Sequence, residues 1–327
     1  MKKKTTVTKK VPLSTKLNDF LKSIIPLLKS LAFSLKKHWM LYLMLVPFIL
    51  WYALFMYKPL YGLQIAFKDY NILRGIQASK WVGFEHFIDF LTDPSFWRAF
   101  RNTIMISIFD LAFAFPAPIF LAIMINEVRN AHFKKTIQTI TYLPHFISVV
   151  VIAGLVTNFL APSGIINNII VAFGGNSQYF LIKPEYFWGI FTSMGIWKGV
   201  GFGAVVYIAA LAGVDPGLYE AARIDGAGKL KQLWNITLPS ILPTIMVMLI
   251  LKIGQLLSVS YEAIILLYQP ATYETADVIS TYVYRYGLQG GNYDLATAVG
   301  LMNSVIAFVL VYISNKLSKK YSETGIF

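Results

Sequence analysis

Few side chains in this 327-residue sequence are arranged in a pattern that could do catalytic chemistry. The chain has no cysteine, so thiolate nucleophiles, disulfides and cysteine metal sites are excluded. Neither H-E-x-x-H nor G-x-S-x-G occurs, and the histidines are scattered at His38, His86, His132 and His145. The segment 225–229 (DGAGK) looks like the end of a phosphate-binding loop, but Leu230 replaces the required Ser or Thr. We therefore predict no catalytic residues, no metal site, no cofactor on this chain and no enzymatic activity.

A second group of candidates consists of polar and aromatic side chains within or beside long apolar segments. Such groups are costly in a membrane and tend to mark transport pathways. The pathway candidates are Trp197, Lys252, Gln255, Tyr261, Glu262 and Asn303, with Asp110 as a further one. Each has a structural alternative. Lys252 and Glu262 could pair with another subunit, and Asn303 could hydrogen-bond a neighbouring helix.

The composition indicates that these apolar segments lie in lipid. Hydrophobic residues make up 56% of the chain and charged residues only 14%, whereas soluble domains carry about 25% charged residues. A disordered chain is excluded, because disorder requires few apolar residues and high charge. A soluble fold this apolar would expose large hydrophobic patches.

Six apolar segments are long enough to cross a bilayer, which takes about 20 residues in a helix. They cover approximately residues 40–57, 104–125, 139–160, 187–211, 241–257 and 295–313. The fifth could extend to residue 267, and counts of five or seven stay open because segments two to four are less hydrophobic. We predict an all-α integral membrane protein with about six transmembrane helices.

The distribution of Lys and Arg predicts the orientation of these helices. With the N-terminus inside, the inner segments hold 19 Lys and Arg residues and the outer segments hold 8. Cytoplasmic loops carry the excess of basic residues, so both termini are predicted to be cytoplasmic. The net charge of +13 therefore reflects membrane topology, and nucleic acid is not an expected partner.

Residues 1–39 are predicted to be a separate cytosolic region, followed by one transmembrane domain over 40–327. Apolar residues recur at helical spacing over 17–35, with lysines on a flank. This pattern is typical of an interfacial helix on the inner leaflet, preceded by a basic tail. Packing of the same helix on the transmembrane bundle is the alternative.

The inner loop 212–240 carries strong local signals. Asp215 is a good N-cap for a short helix, and Gly226 can adopt the positive φ that ends one sharply. A second short helix is predicted over 229–236, so that two helices meet at a bend. Adjacent alanines in the first helix leave room for a partner surface to approach closely.

The spacing in this loop resembles a family motif. Glu220-Ala221-Ala222 is followed after three residues by Gly226, after nine more by Ile236, and then by Leu238-Pro239. This resembles the EAA loop (E-A-A-x3-G-x9-I-x-L-P) of binding-protein-dependent ABC importer permeases at every fixed position. The segment 81–84 (WVGF) resembles the stretch that leads into the core of these permeases. The tail 277–300 is similar to the carbohydrate branch, which imports oligosaccharides and polysaccharide fragments. The resemblance covers roughly residues 40–327.

The resemblance implies a mechanism and a set of partners. The EAA helix would be the coupling helix, with Glu220 contacting a cytosolic ATPase, Asp215 capping the helix and Gly226 making the turn. Two ATPase subunits would bind ATP and Mg, a second homologous permease would complete the pathway, and an extracytoplasmic binding protein would deliver the sugar. The spans would alternate access across a prokaryotic plasma membrane, with the lipid bilayer as their solvent.

Two alternative functions stand beside oligosaccharide import. The first keeps the superfamily but changes the cargo to amino acids, phosphate or metal. The second is a channel or sensor that works without ATP, which the EAA spacing opposes.

Overall fold

The computed structural model describes residues 36–322 and residue 325. The predicted basic tail and interfacial helix therefore lie outside the described residues. The chain divides into two compact units, Met1–Leu63 and Gln64–Phe327. The predicted boundary at residue 39 stays a prediction.

The described chain is almost entirely helical, with one short antiparallel strand pair. Strand β1 (Lys68–Asp69) pairs with β2 (Lys80–Trp81), with Lys68 opposite Trp81. The α-helices in chain order are α1 (Trp39–Tyr52), α2 (Gly75–Ala78), α3 (Glu85–Thr92), α4 (Pro94–Phe109), α5 (Pro116–Glu127), α6 (Ala131–Tyr142), α7 (Val149–Leu160), α8 (Ile165–Ala172), α9 (Phe187–Ala212), α10 (Pro216–Ile224), α11 (Lys229–Gln232), α12 (Leu238–Gly254), α13 (Tyr261–Leu267), α14 (Tyr273–Ala276), α15 (Ile279–Tyr282) and α16 (Tyr293–Ser322). Several of them are joined end to end by π-helical or 3₁₀ turns.

Six helical segments of the described chain are long and apolar enough to cross a membrane, as the sequence predicts. These segments, spans 1 to 6, are Trp39–Phe67, Pro94–Glu127, Val149–Ala172, Pro184–Ala212, Lys229–Gly254 and Tyr293–Lys320. Span 2 is continuous because a π-helical stretch, Asp110–Ala114, joins α4 to α5. Pro116, which has no N–H to donate, begins α5 directly after this stretch.

The predicted third span was wrong at its start. Residues 139–142 belong to α6, and the chain then breaks at the 3₁₀ turn Leu143–Phe146. Helix α7 begins only after Ser148, whose side chain accepts a hydrogen bond from the N–H of Val151. Because Pro144 cannot continue the hydrogen bonding of α6, the apolar run divides into two helices.

The predicted fifth span was wrong at its start, and the helix does not extend to residue 267. The helix begins at Lys229, because the π-helical stretch Leu233–Thr237 joins α11 to α12 without a break. The predicted separate helix over 229–236 is therefore the first part of span 5. The span ends at Gly254, and α13 is a distinct helix after the non-helical residues 255–260.

The unit Gln64–Phe327 packs around several buried clusters. One of them joins spans 2, 4 and 5 through Ala122, Ala204, Tyr207, Leu211 and Ile241. Span 4 also approaches α6 closely, since a Cβ on Gly201 would lie 2.0 Å from the carbonyl oxygen of Thr141. These contacts fix span 4 against its neighbours and so position the loop that follows it.

Candidate functional site

The loop after span 4 folds into an exposed elbow, defined here as residues 215–228. The Asp215 carboxylate accepts a 2.8 Å hydrogen bond from the N–H of Gly217, so the predicted N-cap of α10 is present. Gly226 has a φ of +77°, which makes the predicted turn. The N–H of Ala227 donates to the carbonyl of Ala222 at 2.8 Å, a bond that closes the end of the helix.

The elbow presents an apolar and acidic surface to its surroundings. Leu218 is 48% exposed and Ile224 is 87% exposed, although neither lies in a membrane span. Glu220 and Ala221 are exposed as well, and Ala222 is half-buried. These side chains of the elbow are therefore not covered by any other part of the described chain.

One polar contact ties the elbow to span 5, and a second ties span 5 to span 2. The hydroxyl of Tyr219 lies 3.0 Å from that of Thr237 in span 5. Because Thr237 donates its own proton to the carbonyl of Gln232, Tyr219 is the donor in this pair. Lys229, the first residue of span 5, donates from Nζ to Glu127 Oε2 at 2.6 Å, at the end of span 2. The elbow is therefore bonded directly to span 5, and span 5 is paired with span 2.

A small polar cavity lies between the elbow and the end of span 2. Its volume is about 280 Å³, and Glu220 lines it beside basic groups and one further carboxylate. The charged lining residues are Glu127, Arg129, Glu220, Arg223 and Lys229. Sequence reasoning missed Tyr219, Thr237, Glu127 and Lys229, because no local signal reveals pairings between separate helices.

Three of the predicted pathway residues meet at one cavity of about 700 Å³. Tyr261, Glu262 and Asn303 line it together with Tyr284 and several serines. The rings of Tyr261 and Tyr284 stack with centroids 5.5 Å apart and planes at 25°. The Oδ1 atom of Asn303 is buried and has no hydrogen-bond partner within the described chain. The cavity therefore offers aromatic faces and a vacant acceptor to a polar ligand.

Lys252 and Gln255 line a different cavity, of about 490 Å³, between spans 2, 4 and 5. The ammonium of Lys252 forms an ion pair with Asp110 at the start of the π-helical stretch of span 2. The sequence left open that Lys252 pairs with another subunit. In the structure its partner is Asp110 of the same chain.

Trp197 lies apart from the other pathway candidates. It lines a third cavity, of about 490 Å³, whose walls are mainly apolar and aromatic. Phe109, Phe159, Tyr186 and Trp188 contribute to these walls. The structure therefore does not bring Trp197 to Lys252 or to Tyr261.

The non-helical residues 255–260 border two of these cavities. Gln255 lines the cavity of Lys252, whereas 257–260 line the cavity of Tyr261. Side chains from other elements bind the free carbonyls: the Ser107 hydroxyl donates to Leu256, and the Ser280 hydroxyl donates to Val259 at 2.9 Å. Broken helices at membrane depth are tolerated where they are buried in protein or line a cavity.

A buried ionic network lies at the other end of the spans from the elbow. The fully buried Asp277 carboxylate accepts from Arg285 at 2.7 Å and from Thr281 at 2.8 Å, and Arg98 lies 3.5 Å away. Nearby, the Tyr282 hydroxyl donates to Asp93 at 2.9 Å. Burial is the main cause that raises the pKa of Tyr282, and this bond to the Asp93 carboxylate raises it further.

Among the described residues, no group of three or more His, Asp or Glu side chains could hold a metal ion. The described chain combines an exposed elbow, two cavities beside a helix break, and ionic links between spans.

Comparison with known proteins agrees with this combination of features. Residues 114–322 match the protein family described as the binding-protein-dependent transport system inner membrane component. The chain is 43% identical over 300 residues to the polygalacturonan/rhamnogalacturonan transport system permease protein YteP of Bacillus subtilis (strain 168), covering 91% of this chain and 94% of that protein. It is 42% identical to protein LplB of the same organism, covering 90% and 93% of the two chains.

A solved structure is also similar over most of the chain. It is a bacterial alginate ABC transporter in complex with an alginate pentasaccharide-bound periplasmic protein. The matched chain is 49% identical, with a TM-score of 0.83, covering 89% of this chain and 98% of that one. A second structure of such a transporter, described as importing the acidic polysaccharide alginate, has the same identity and TM-score.

Proposed function

The chain belongs to the family of binding-protein-dependent transport system inner membrane components, and we propose how it works as the membrane permease of an ABC importer for oligosaccharides. It is a transport subunit rather than an enzyme, and ATP hydrolysis occurs on separate subunits. We propose that the cargo is an acidic oligosaccharide, because the similar proteins include permeases named for polygalacturonan and for alginate.

The elbow is the observation that carries this proposal. Its helix is exposed, capped by Asp215 and hydrogen-bonded to span 5, and the start of span 5 is paired with the end of span 2. We propose that α10 docks on a cytosolic ATPase subunit, with Glu220 as its polar contact and Ala221 and Ala222 allowing close approach. The end of the spans that carries the elbow is then cytoplasmic, and with six spans both termini lie on that side.

Two ATPase subunits would supply the driving force when they bind ATP and Mg. Their closure would move two elbows, one from this chain and one from a second homologous permease. The Tyr219–Thr237 and Lys229–Glu127 contacts would pass that movement to spans 5 and 2. ATP and a loaded binding protein would both favour the outward-facing state and so increase its population.

The cargo pathway runs beside the helix break at residues 255–260. The stacked Tyr261 and Tyr284 rings would pack on the apolar faces of a sugar ring. The buried Oδ1 of Asn303 would accept a hydrogen bond from a sugar hydroxyl, and Glu262 would accept another. An extracytoplasmic binding protein would deliver the sugar at the end opposite the elbow.

The test is uptake by the complete importer in proteoliposomes. The wild-type complex, with both permeases, both ATPases and the binding protein, is expected to take up a labelled uronic-acid oligosaccharide only with ATP. Tyr261→Ala is expected to lower uptake about tenfold, equivalent to about 1.4 kcal/mol. Tyr179→Ala, at a similarly exposed tyrosine outside these cavities, serves as the control and should leave uptake unchanged. No ATP-dependent uptake of any oligosaccharide by the wild-type complex would contradict the proposal.

A further inference from the structure

An ion pair lies within the membrane-spanning region where an apolar contact would be expected. Lys252 in span 5 pairs with Asp110 in span 2, and their side chains are 35% and 31% exposed. Both occupy irregular points of their helices. Asp110 begins a π-helical stretch, and Lys252 is two residues from the end of α12. π-Helical stretches inside α-helices are frequent at functional sites.

Fold stability alone does not account for this pair. Replacing a buried ion pair by apolar residues of similar volume is often neutral or stabilising, so an ion pair is weak grounds for a stability role. Charged groups at membrane depth face a protein interior or a water-filled cavity rather than lipid. Asp110 and Lys252 both line the cavity of about 490 Å³ between spans 2, 4 and 5.

The cavity has room for a ligand next to this pair. Its other lining residues are uncharged, and Gln255 places an amide near Lys252 in sequence. Gly195 and Gly199 line the facing side of span 4, and a Cβ built on either would meet no atom within 4 Å. Lys252 is therefore the one cationic group that this cavity offers among the described residues.

We propose that Lys252 is a specificity-determining residue that binds a carboxylate group of the cargo. The inference rests on the proposed import of an acidic oligosaccharide. An ammonium has three N–H donors, so Lys252 can bind a cargo carboxylate while still contacting Asp110. A neutral sugar has no group to match it.

Asp110 has a separate role in this arrangement. It neutralises Lys252 when no cargo is present, so that no unpaired charge is left at membrane depth. It also competes with the cargo carboxylate and keeps cargo binding weak. Transport requires weak binding, because a cargo that binds too tightly does not leave.

The test compares uptake of an oligogalacturonate by variants of the complete importer in proteoliposomes. Lys252→Met is expected to lower ATP-dependent uptake at least tenfold, whereas Lys252→Arg should retain most of it. Asp110→Asn is expected to bind the oligogalacturonate more tightly and release it more slowly. Arg101→Gln is the matched control for loss of one positive charge, because its pair with Glu274 is exposed and lies outside the cavity.

The double variant Asp110→Leu/Lys252→Met separates a cargo site from a structural pair. It leaves no unpaired charge, so it should assemble even where Lys252→Met alone does not. Uptake by the double variant should stay at least tenfold low, while the binding protein still stimulates ATP hydrolysis. Uptake restored to the wild-type rate would overturn the inference and make the pair structural. A wild-type complex that transports no oligosaccharide would instead contradict the proposed function.

Discussion

The hydroxyl of Tyr219 in the elbow helix donates to the hydroxyl of Thr237 at 3.0 Å, and Thr237 donates onward to the carbonyl of Gln232. Thr237 is buried in span 5, whereas the face of α10 that carries Leu218 is exposed. A side chain of the elbow helix is thus hydrogen-bonded directly to the first turns of span 5. Force applied to the elbow reaches the span through this contact as well as through the backbone.

Tyr219→Phe is expected to weaken coupling without releasing the ATPase. A hydrogen bond of this kind contributes about 1 kcal/mol, or roughly a fivefold change in a conformational equilibrium. The number of sugar molecules imported per ATP hydrolysed should fall by about that factor in proteoliposomes. Tyr312→Phe, on an exposed tyrosine of span 6, should have no effect. An unchanged ratio in Tyr219→Phe would show that this contact does not transmit movement.

Gly226→Ala is expected to distort the elbow. The backbone there has a φ of +77°, and a residue with a Cβ pays roughly 1–2 kcal/mol in the left-handed region. ATPase association and uptake should both fall, as measured by co-purification and by transport. Gly228→Ala is the matched control, because Gly228 has a φ of −68° and open space at its Cβ position. Equal ATPase association and uptake in the two variants would show that the positive φ at Gly226 is not required.

Glu220→Lys is expected to abolish co-purification of the ATPase subunits, whereas Glu220→Gln should retain a weakened complex. The carboxylate lines a cavity that already contains Arg129, Arg223 and Lys229, so a further positive charge there is repelled. The docked partner would also lose its acidic contact. Normal co-purification of the Glu220→Lys complex would show that Glu220 does not contact the ATPase subunit.

The elbow could be predicted from sequence because its signals are local. Asp215 caps α10 through a residue two positions away, and Gly226 needs only its own backbone freedom. The family followed from the spacing of Glu220, Gly226 and Leu238-Pro239, and the family match over residues 114–322 confirms it.

Contacts between distant segments could not be predicted in this way. Nothing local indicates that Lys252 pairs with Asp110, because that pairing depends on how spans 2 and 5 are rotated against each other. The start of span 5 was wrong for a related reason. Hydropathy marks where a helix enters lipid, but α11 and the π-helical stretch Leu233–Thr237 extend the same helix into polar sequence.

Asp277→Asn is expected to destabilise the Gln64–Phe327 unit. Asp277 is fully buried against Arg285, and removing one member of a buried pair costs about 3–5 kcal/mol. The thermal unfolding temperature of the Asp277→Asn variant, measured in detergent, should be clearly lower than that of the wild type. Glu274→Gln, which breaks the exposed pair with Arg101, should shift it little, since exposed pairs contribute about 0–1 kcal/mol. Equal stability of the two variants would contradict a structural role for Asp277.

The most direct test of the docking elbow uses the absence of cysteine from the chain. A single Leu218→Cys variant, labelled with a benzophenone maleimide, would be irradiated within the assembled importer. We expect a covalent adduct with an ATPase subunit and loss of uptake after irradiation. A label at Phe173→Cys, which is 90% exposed and far along the chain from the elbow, should give no such adduct. No ATPase adduct at Leu218→Cys, in a complex that still imports sugar with ATP, would contradict docking of the elbow on the ATPase.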